Sequence, residues 1–189
     1  MIVLVTGGAR SGKSSYAEKI ARHLGGEPQY CCYLATGEAF DQEMQERIAK
    51  HRASRGNTFF TVEEPVALAA ACRRLPAATK VVLLDCLTTW LGNVSYRLEL
   101  QTQRGGEATE LEESSEWREW LEYLPQAGHH TVMVSNELGM GLVPSDKISR
   151  EFRDAQGRLN QQIAAAADVV IFMVSGLPLV LKGRLPDFP

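Results

Sequence analysis

Short apolar runs alternate along the chain with stretches whose apolar residues recur at helical spacing. MIVLVT (1–6) is a continuous apolar run, as a parallel strand covered on both faces requires. Lys13 to Leu24 reads as a helix that stops at Gly25-Gly26. QYCCYLAT (29–36) is a second strand, and Phe40 to Ser54 is helical, with Phe40, Met44 and Ile48 on one face. Thr58 to Val62 reads as a short strand. Pro65 starts a helix through Arg74, since proline suits a first helical position. KVVLLD (80–85) is another buried strand, followed by a helix from Thr88 to Leu98. Residues 101–116 are polar and lack aromatics, a loop entering an acidic helix that ends near Leu124-Pro125. HTVMVSN (130–136) is a strand, Ser145 to Ala167 a long helix, DVVIFMVSG (168–176) a strand, and 179–182 a last short strand. Strands separated by helices predict right-handed βαβ units: an α/β, three-layer fold with a mostly parallel sheet. No repeat or linker divides the chain, so 1–189 reads as a single domain.

Composition narrows the class. A chain of 189 residues, 44% hydrophobic, buries roughly 70% of its unfolded surface and needs no disulfide or metal staple. The 20 basic and 23 acidic residues leave a net charge of −3, which argues against a partner held by neutralising nucleic-acid phosphates. Mean hydropathy is −0.17, and no apolar run approaches the ~20 residues of a membrane span. Met1 leads directly into the first strand without a basic start, unlike a signal peptide, so a cytoplasmic protein is expected. The four cysteines, Cys31, Cys32, Cys72 and Cys86, form neither a CxxC pair nor a metal-ligand spacing and read as small buried hydrophobes.

The strongest chemical signal is Gly7-Gly8-Ala9-Arg10-Ser11-Gly12-Lys13-Ser14, a G-x-x-x-x-G-K-[ST] pattern between a strand and a helix. Glycines let such a loop curl so that several backbone N–H groups face one anion, and the helix adds its positive end. Lys13 neutralises the β- and γ-phosphates, and the Ser14 hydroxyl is a hard oxygen ligand for Mg²⁺. VVLLD ends in Asp85, at the strand end where a second, acidic Mg²⁺ ligand is expected. Asn136-Glu137 closes another strand and is the weaker candidate. No N-K-x-D guanine reader is present, and the chain is short for a motor, so elimination favours a small-molecule kinase.

A second site is suggested between Asp41 and Arg55. Arg47 and His51 are four apart and share a helix face, and Arg52 and Arg55 follow within a turn. Cations around a histidine disfavour its imidazolium, leaving the neutral, nucleophilic ring, and they also suit a triphosphate. Taken alone, the same residues read more readily as a solvated basic helix end, where cations complement the helix dipole.

The chain resembles the bifunctional adenosylcobinamide kinase/adenosylcobinamide-phosphate guanylyltransferases of cobalamin biosynthesis. The resemblance rests on TGGARSGKS (6–14), D-x-EM-x-x-RI-x-x-H (41–51), VEEP (62–65), LTTWLGN (87–93), SNELGMGLVP (135–144) and FRDAQGRLNQQIAAAAD (152–168). It implies a RecA-like phosphate-loop fold and a homotrimer. It also implies two reactions: an NTP phosphorylates the aminopropanol arm of adenosylcobinamide, with Lys13 catalytic; then His51 takes GMP from GTP as a guanylyl-histidine and passes it on, giving adenosylcobinamide-GDP. The nucleotide contacts it implies are the loop Gly7 to Ser14, Ala35, Thr36, Gly37, Arg52, Ala53, Ser54, Arg55, Glu63 and Asp85, with Ser14 and Asp85 on Mg²⁺. ATP and GTP are the co-substrates. A monofunctional kinase and a non-catalytic nucleotide-binding regulator are the alternatives. Phe59-Phe60 stand where relatives carry a tryptophan, and 95–116 match poorly. The seven glutamates from Glu107 to Glu122 read as a solvated face. Arg158 is expected to be structural; Arg150 and Arg153 are open between phosphate binding, a subunit contact and pairing with Glu151 and Asp154. His23, His129 and His130 carry no catalytic pattern.

Overall fold

The computed structural model describes residues 1–37 and 56–184. The helix expected over Phe40 to Ser54 lies outside them. Seven strands form one sheet: β1 (Ile2–Gly7), β2 (Cys31–Ala35), β3 (Phe60–Glu63), β4 (Val81–Asp85), β5 (His130–Val134), β6 (Val169–Val174) and β7 (Leu177–Lys182). Their spatial order is β3-β2-β4-β5-β1-β6-β7. Every neighbouring pair is parallel except β6–β7, which is an antiparallel hairpin. The phosphate-loop strand β1 therefore sits inside the sheet, and β5 separates it from β4 with its terminal acid.

The described helices are α1 (Lys13–Gly25), α2 (Leu68–Arg73), α3 (Leu87–Gln103), α4 (Ser115–Tyr123) and α5 (Lys147–Ala166). Alternate residues of the strands feed two cores. Val3, Val5, Leu83, Val132 and Ile171 pack with Ala17, Ile20 and Ala21 of α1. Leu4, Leu34, Leu84 and Met133 pack on the other side with Trp90 of α3, Trp117 and Trp120 of α4, and Leu159 and Ile163 of α5. All three tryptophans are buried, and replacing such a side chain by alanine typically costs about 3–5 kcal/mol, so they anchor this layer. Trp90 also donates from Nε1 to the Val66 carbonyl at 2.7 Å, tying α3 to the chain that enters α2. None of the described helices is long and apolar enough to cross a membrane.

Local chemistry sets the helix boundaries. Asp146 caps α5 by accepting from Ser149 N at 2.7 Å, and Ser114 caps α4 by accepting from Trp117 N at 3.3 Å. Cys86 takes the cap position of α3, its sulfur 3.5 Å from Thr89 N. The helix expected to open at Pro65 begins only at Leu68. The Glu64 carboxylate accepts from Val66 N and Ala67 N, closing a turn ahead of the helix. In the other direction, α3 runs to Gln103, five residues beyond its expected end at Leu98. All four cysteines are free thiols; burial pushes Cys32 and Cys72 up to about 12, which leaves them inert.

His129 is half-buried beside the end of α4. Its Nδ1 faces the His130 carbonyl at 3.0 Å, an atom that only accepts, so Nδ1 carries the proton and Nε2 accepts from the Tyr123 hydroxyl at 2.8 Å. Burial, the first cause, pushes its pKa below the ordinary histidine value of 6.5. The neutral ring is the form the fold prefers. Stability is thus full above that ordinary value and falls as pH drops from it toward the lower folded value, by at most about 1.4 kcal/mol per pH unit for one proton. Denaturant titrations from pH 7.5 to 5.5 are expected to give a flatter slope for His129→Gln than for the wild type; equal slopes would assign the acid sensitivity elsewhere.

Candidate functional site

The loop after β1 is shaped by backbone conformations that few residues tolerate. Gly7 has φ +149°, and a Cβ there would run into the Met173 carbonyl of β6. Gly12 has φ +92° and forms the N-terminal boundary of α1 with no side-chain cap, so the first N–H groups of the helix stay open. Gly8, Ala9 and Arg10 form the exposed crest, with Arg10 left-handed at φ +55°. The loop is braced from outside: Gly176 N, in the β6–β7 turn, donates to the Ser11 carbonyl at 3.0 Å, and Glu137 N donates to the Gly7 carbonyl at 3.0 Å.

Lys13 is only 7% exposed, and its Nζ donates to the Gly8 carbonyl at 2.5 Å. Burial, the largest effect, pushes its pKa below the ordinary lysine value, opposed by Cys86 and Asp85. The ammonium is thus parked on the loop's own backbone in a partly desolvated place, where an arriving anion interacts strongly with it. The buried Ser11 hydroxyl has no partner among the described residues, which leaves a donor free inside the loop. Ser14 sits half-buried in the first turn of α1.

The remaining described candidates line up across the sheet. In register, Val5 of β1 is level with Val134 of β5, Val134 with Asp85 of β4, Asp85 with Ala35 of β2, and Ala35 with Glu63 of β3. Asp85 and Glu63 therefore flank Ala35, two strand spacings or about 10 Å apart. Tyr33, one pleat back on β2, donates from its hydroxyl to Asp85 Oδ2 at 2.8 Å and aims that carboxylate. Thr36 follows Ala35 and is wholly buried. Its hydroxyl donates to the Cys86 carbonyl and accepts from Cys86 N, both at 2.9 Å. Asn93 of α3 then donates to the Thr36 carbonyl at 2.8 Å and to the Pro65 carbonyl at 3.0 Å. Gly37 closes this described segment. Arg47, His51, Arg52, Ala53, Ser54 and Arg55 lie outside the described residues.

Three supporting groups escaped sequence reasoning: Tyr33, Asn93, and a buried network on α5. Ser135 Oγ donates to Asn160 Oδ1 at 2.6 Å, Gln156 Nε2 donates to both at 3.0 and 3.1 Å, and Asn160 Nδ2 donates to the Asn136 carbonyl at 3.0 Å. Thr88 Oγ1 accepts from Asn136 N at 3.0 Å, so the residue after β5 is held through both backbone groups beside the phosphate loop. The signal available was the i, i+4 pair Gln156/Asn160 on the apolar face of α5. The arginines sort differently from one another. Arg158 pairs with Glu112, the structural role expected. Arg153 pairs with Asp154 at 3.4 Å, whereas Arg150 donates to the Pro144 and Ser145 carbonyls. Glu151 pairs with Lys147 instead.

Among the described residues no group of three or more His, Cys, Asp or Glu side chains could enclose a metal. The Ser14 hydroxyl and the oriented Asp85 carboxylate supply two hard oxygens. That small set fits Mg²⁺, which keeps much of its coordination for water and phosphate oxygens, and does not fit a metal that needs a full protein cage.

Comparison with known proteins identifies the family. The family model described as cobinamide kinase / cobinamide phosphate guanyltransferase matches residues 3–181. The bifunctional adenosylcobalamin biosynthesis protein CobP of Pseudomonas aeruginosa is 42% identical over 181 residues, covering 96% of this chain and 97% of its own. The corresponding protein CobU of Escherichia coli is 37% identical over 191 residues, covering 96% and 100%. Among solved structures, the flagellar accessory protein FlaH of Methanocaldococcus jannaschii aligns with TM-score 0.54 at 12% identity, covering 97% of this chain and 78% of that one. A second solved structure, an isolated ATPase domain, aligns with TM-score 0.50 at 11% identity, covering 100% and 78%. Those two share the fold alone. The chain belongs to the cobinamide kinase/cobinamide phosphate guanyltransferase family.

Proposed function

We propose that the protein carries out both steps, phosphorylating adenosylcobinamide and then converting the product to adenosylcobinamide-GDP. The observation that carries the first step is the buried Lys13 ammonium, held on the Gly8 carbonyl at the edge of the sheet that also carries Asp85. Phosphoryl transfer needs alignment and charge neutralisation more than covalent chemistry. Loop N–H groups and the open end of α1 bind the triphosphate. Lys13 exchanges the Gly8 carbonyl for phosphate oxygens, whose negative charge favours its protonated form. Ser14 and Asp85 would hold Mg²⁺, which would supply neutralisation of the phosphate charge. Tyr33 and Thr36 keep Asp85 and the β4–α3 turn in place for it.

In the second step the neutral His51 imidazole attacks the α-phosphorus of GTP. An N–P bond forms, the P–O bond to pyrophosphate breaks, and pyrophosphate leaves. A phosphate oxygen of adenosylcobinamide phosphate then attacks the same phosphorus, the N–P bond breaks, and the ring, protonated at its other nitrogen throughout, departs as neutral imidazole. Arg52 and Arg55, with the backbone of Ala53 and Ser54, carry the triphosphate during attack. Glu63, exposed at the end of β3, accepts from the guanine N1–H and amino group, and Ala35, Thr36 and Gly37 line the path between. One unit of 189 residues serves both reactions, works in the cytoplasm where nucleoside triphosphates are available, and assembles as a homotrimer. The exposed apolar residues Leu177, Leu179 and Leu181 of β7 support a subunit contact.

Lys13→Met is expected to lower the rate of adenosylcobinamide phosphorylation by a factor on the order of 10² to 10³. Because it removes a partly desolvated charge, it leaves the melting temperature equal or higher. A wild-type rate in this variant would refute the role of Lys13. With α-labelled GTP, the wild-type enzyme is expected to acquire an acid-labile covalent label that His51→Ala lacks; an unlabelled but kinase-active wild type would leave a monofunctional kinase. Glu63→Gln is expected to narrow the preference for GTP over ATP in that labelling, and an unchanged preference would remove Glu63 from base recognition.

A further inference from the structure

One open cavity is not accounted for by nucleotide chemistry. It is a groove of about 500 Å³ between α3, the segment following β5, and the first two turns of α5. Gly92 of α3 lies at the floor, Tyr96 of α3 forms one wall, and Leu142, Ile148 and Phe152 form the other. The apolar side chains here face outward: Leu142 is 96% exposed and Ile148 74%. Met140 and Val143 of the same segment are also exposed. Such a patch marks a binding surface. Its rim is polar, with Ser95, Glu99, Ser149 and Arg153.

The groove begins at the chemical end of the sheet. Gly92 lies one helical turn, about 6 Å, beyond Thr88, whose hydroxyl accepts from Asn136 N. The opposite wall continues from Asn136-Glu137, and Glu137 N donates to the Gly7 carbonyl of the phosphate loop. Both walls thus continue from the ends of β4 and β5, on the side of the sheet where the phosphate loop lies, and Arg150 fixes the far end of the segment after β5 through the Pro144 and Ser145 carbonyls. At Gly92 a Cβ would meet nothing within 4 Å, so the floor is open.

From this juxtaposition we propose that the groove is the docking site for the corrin ring of the acceptor, with its hydroxyl arm reaching back to the phosphate loop. This rests on the kinase reading above. The match is chemical. A corrinoid is a broad, rigid macrocycle with apolar methyl edges and amide side arms, which needs an apolar floor and a rim of mixed donors and acceptors. The acceptor must also place its hydroxyl at the triphosphate, and both groove walls continue from the strand ends beside the phosphate loop.

The test uses the full chain and cobinamide itself. Equilibrium binding of cobinamide and of ATP is measured separately, together with KM for each in the kinase reaction. Gly92→Leu fills the floor, and Leu142→Asp places a charge on an exposed apolar wall; neither disturbs the core. Both are expected to weaken cobinamide binding and raise its KM at least tenfold, while ATP binding stays unchanged. Unchanged cobinamide binding in both variants overturns the proposal. So does a change of assembly in these variants on a sizing column, which would make the groove a contact with a second copy. Cobinamide binding that is lost in the variants, with a wild type that phosphorylates nothing, would refute the kinase reading and keep the groove. A wild type that does not bind cobinamide refutes both.

Discussion

The common direction of β1, β2, β3, β4 and β5 is the constraint on which the site depends. Parallel strands all deliver their following residues to one edge of the sheet, and their register levels Val5, Val134, Asp85, Ala35 and Glu63 in a row. No antiparallel arrangement of the same strands would bring the phosphate loop, the acid at the end of β4 and the turn after β2 to the same side. Among the described strands β7 alone runs antiparallel, and it lies at the outer boundary, where the turn that leads into it braces the loop through Gly176 without displacing any of those ends.

Holding that edge in shape calls for polar groups inside the protein, and these are mutually satisfied to a large degree. The Thr36 hydroxyl closes both backbone groups of Cys86, and Asn93 bridges two carbonyls from separate segments. Ser135, Gln156 and Asn160 extend the same logic to the end of β5. Buried hydrogen bonds of this kind add little net stability each, but leaving one partner unsatisfied is expensive, so they fix geometry by penalising alternatives. Lys13 and Ser11 are the contrasting cases. One holds a charge against a carbonyl and the other has no partner among the described residues.

The strands and the phosphate loop were readable from the chain because each depends on local pattern. The apolar run of Val81 to Leu84 and the glycines around Lys13 carry their own signal. Spatial order does not: nothing local places β5 between β1 and β4, or reverses β7, since both follow from how crossovers pack. The late start of α2 escaped because the Glu64 carboxylate, a side-chain competitor, takes the amides that Pro65 was expected to lead into a helix. Tyr33 and Gln156 escaped for a related reason. A polar group in an apolar pattern shows its purpose only once its partner, 52 residues away for Tyr33 and 21 for Gln156, is known.

The central position of β1 also bears on how the protein is made. Ile2–Gly7 leaves the ribosome long before its two neighbours, His130–Val134 and Val169–Val174. An apolar strand and its glycine-rich loop must therefore wait for either flank until translation has passed β5. Strand β7 is needed as well, since Lys182 Nζ holds the Ala164 and Ala165 carbonyls at the end of the helix that anchors Asn136. Such long-range closure makes for slow folding. Nascent chains that stop short of β7 therefore lack the Lys182 clasp on the end of that helix, so the last strand to be made closes off the helix whose far side anchors Asn136.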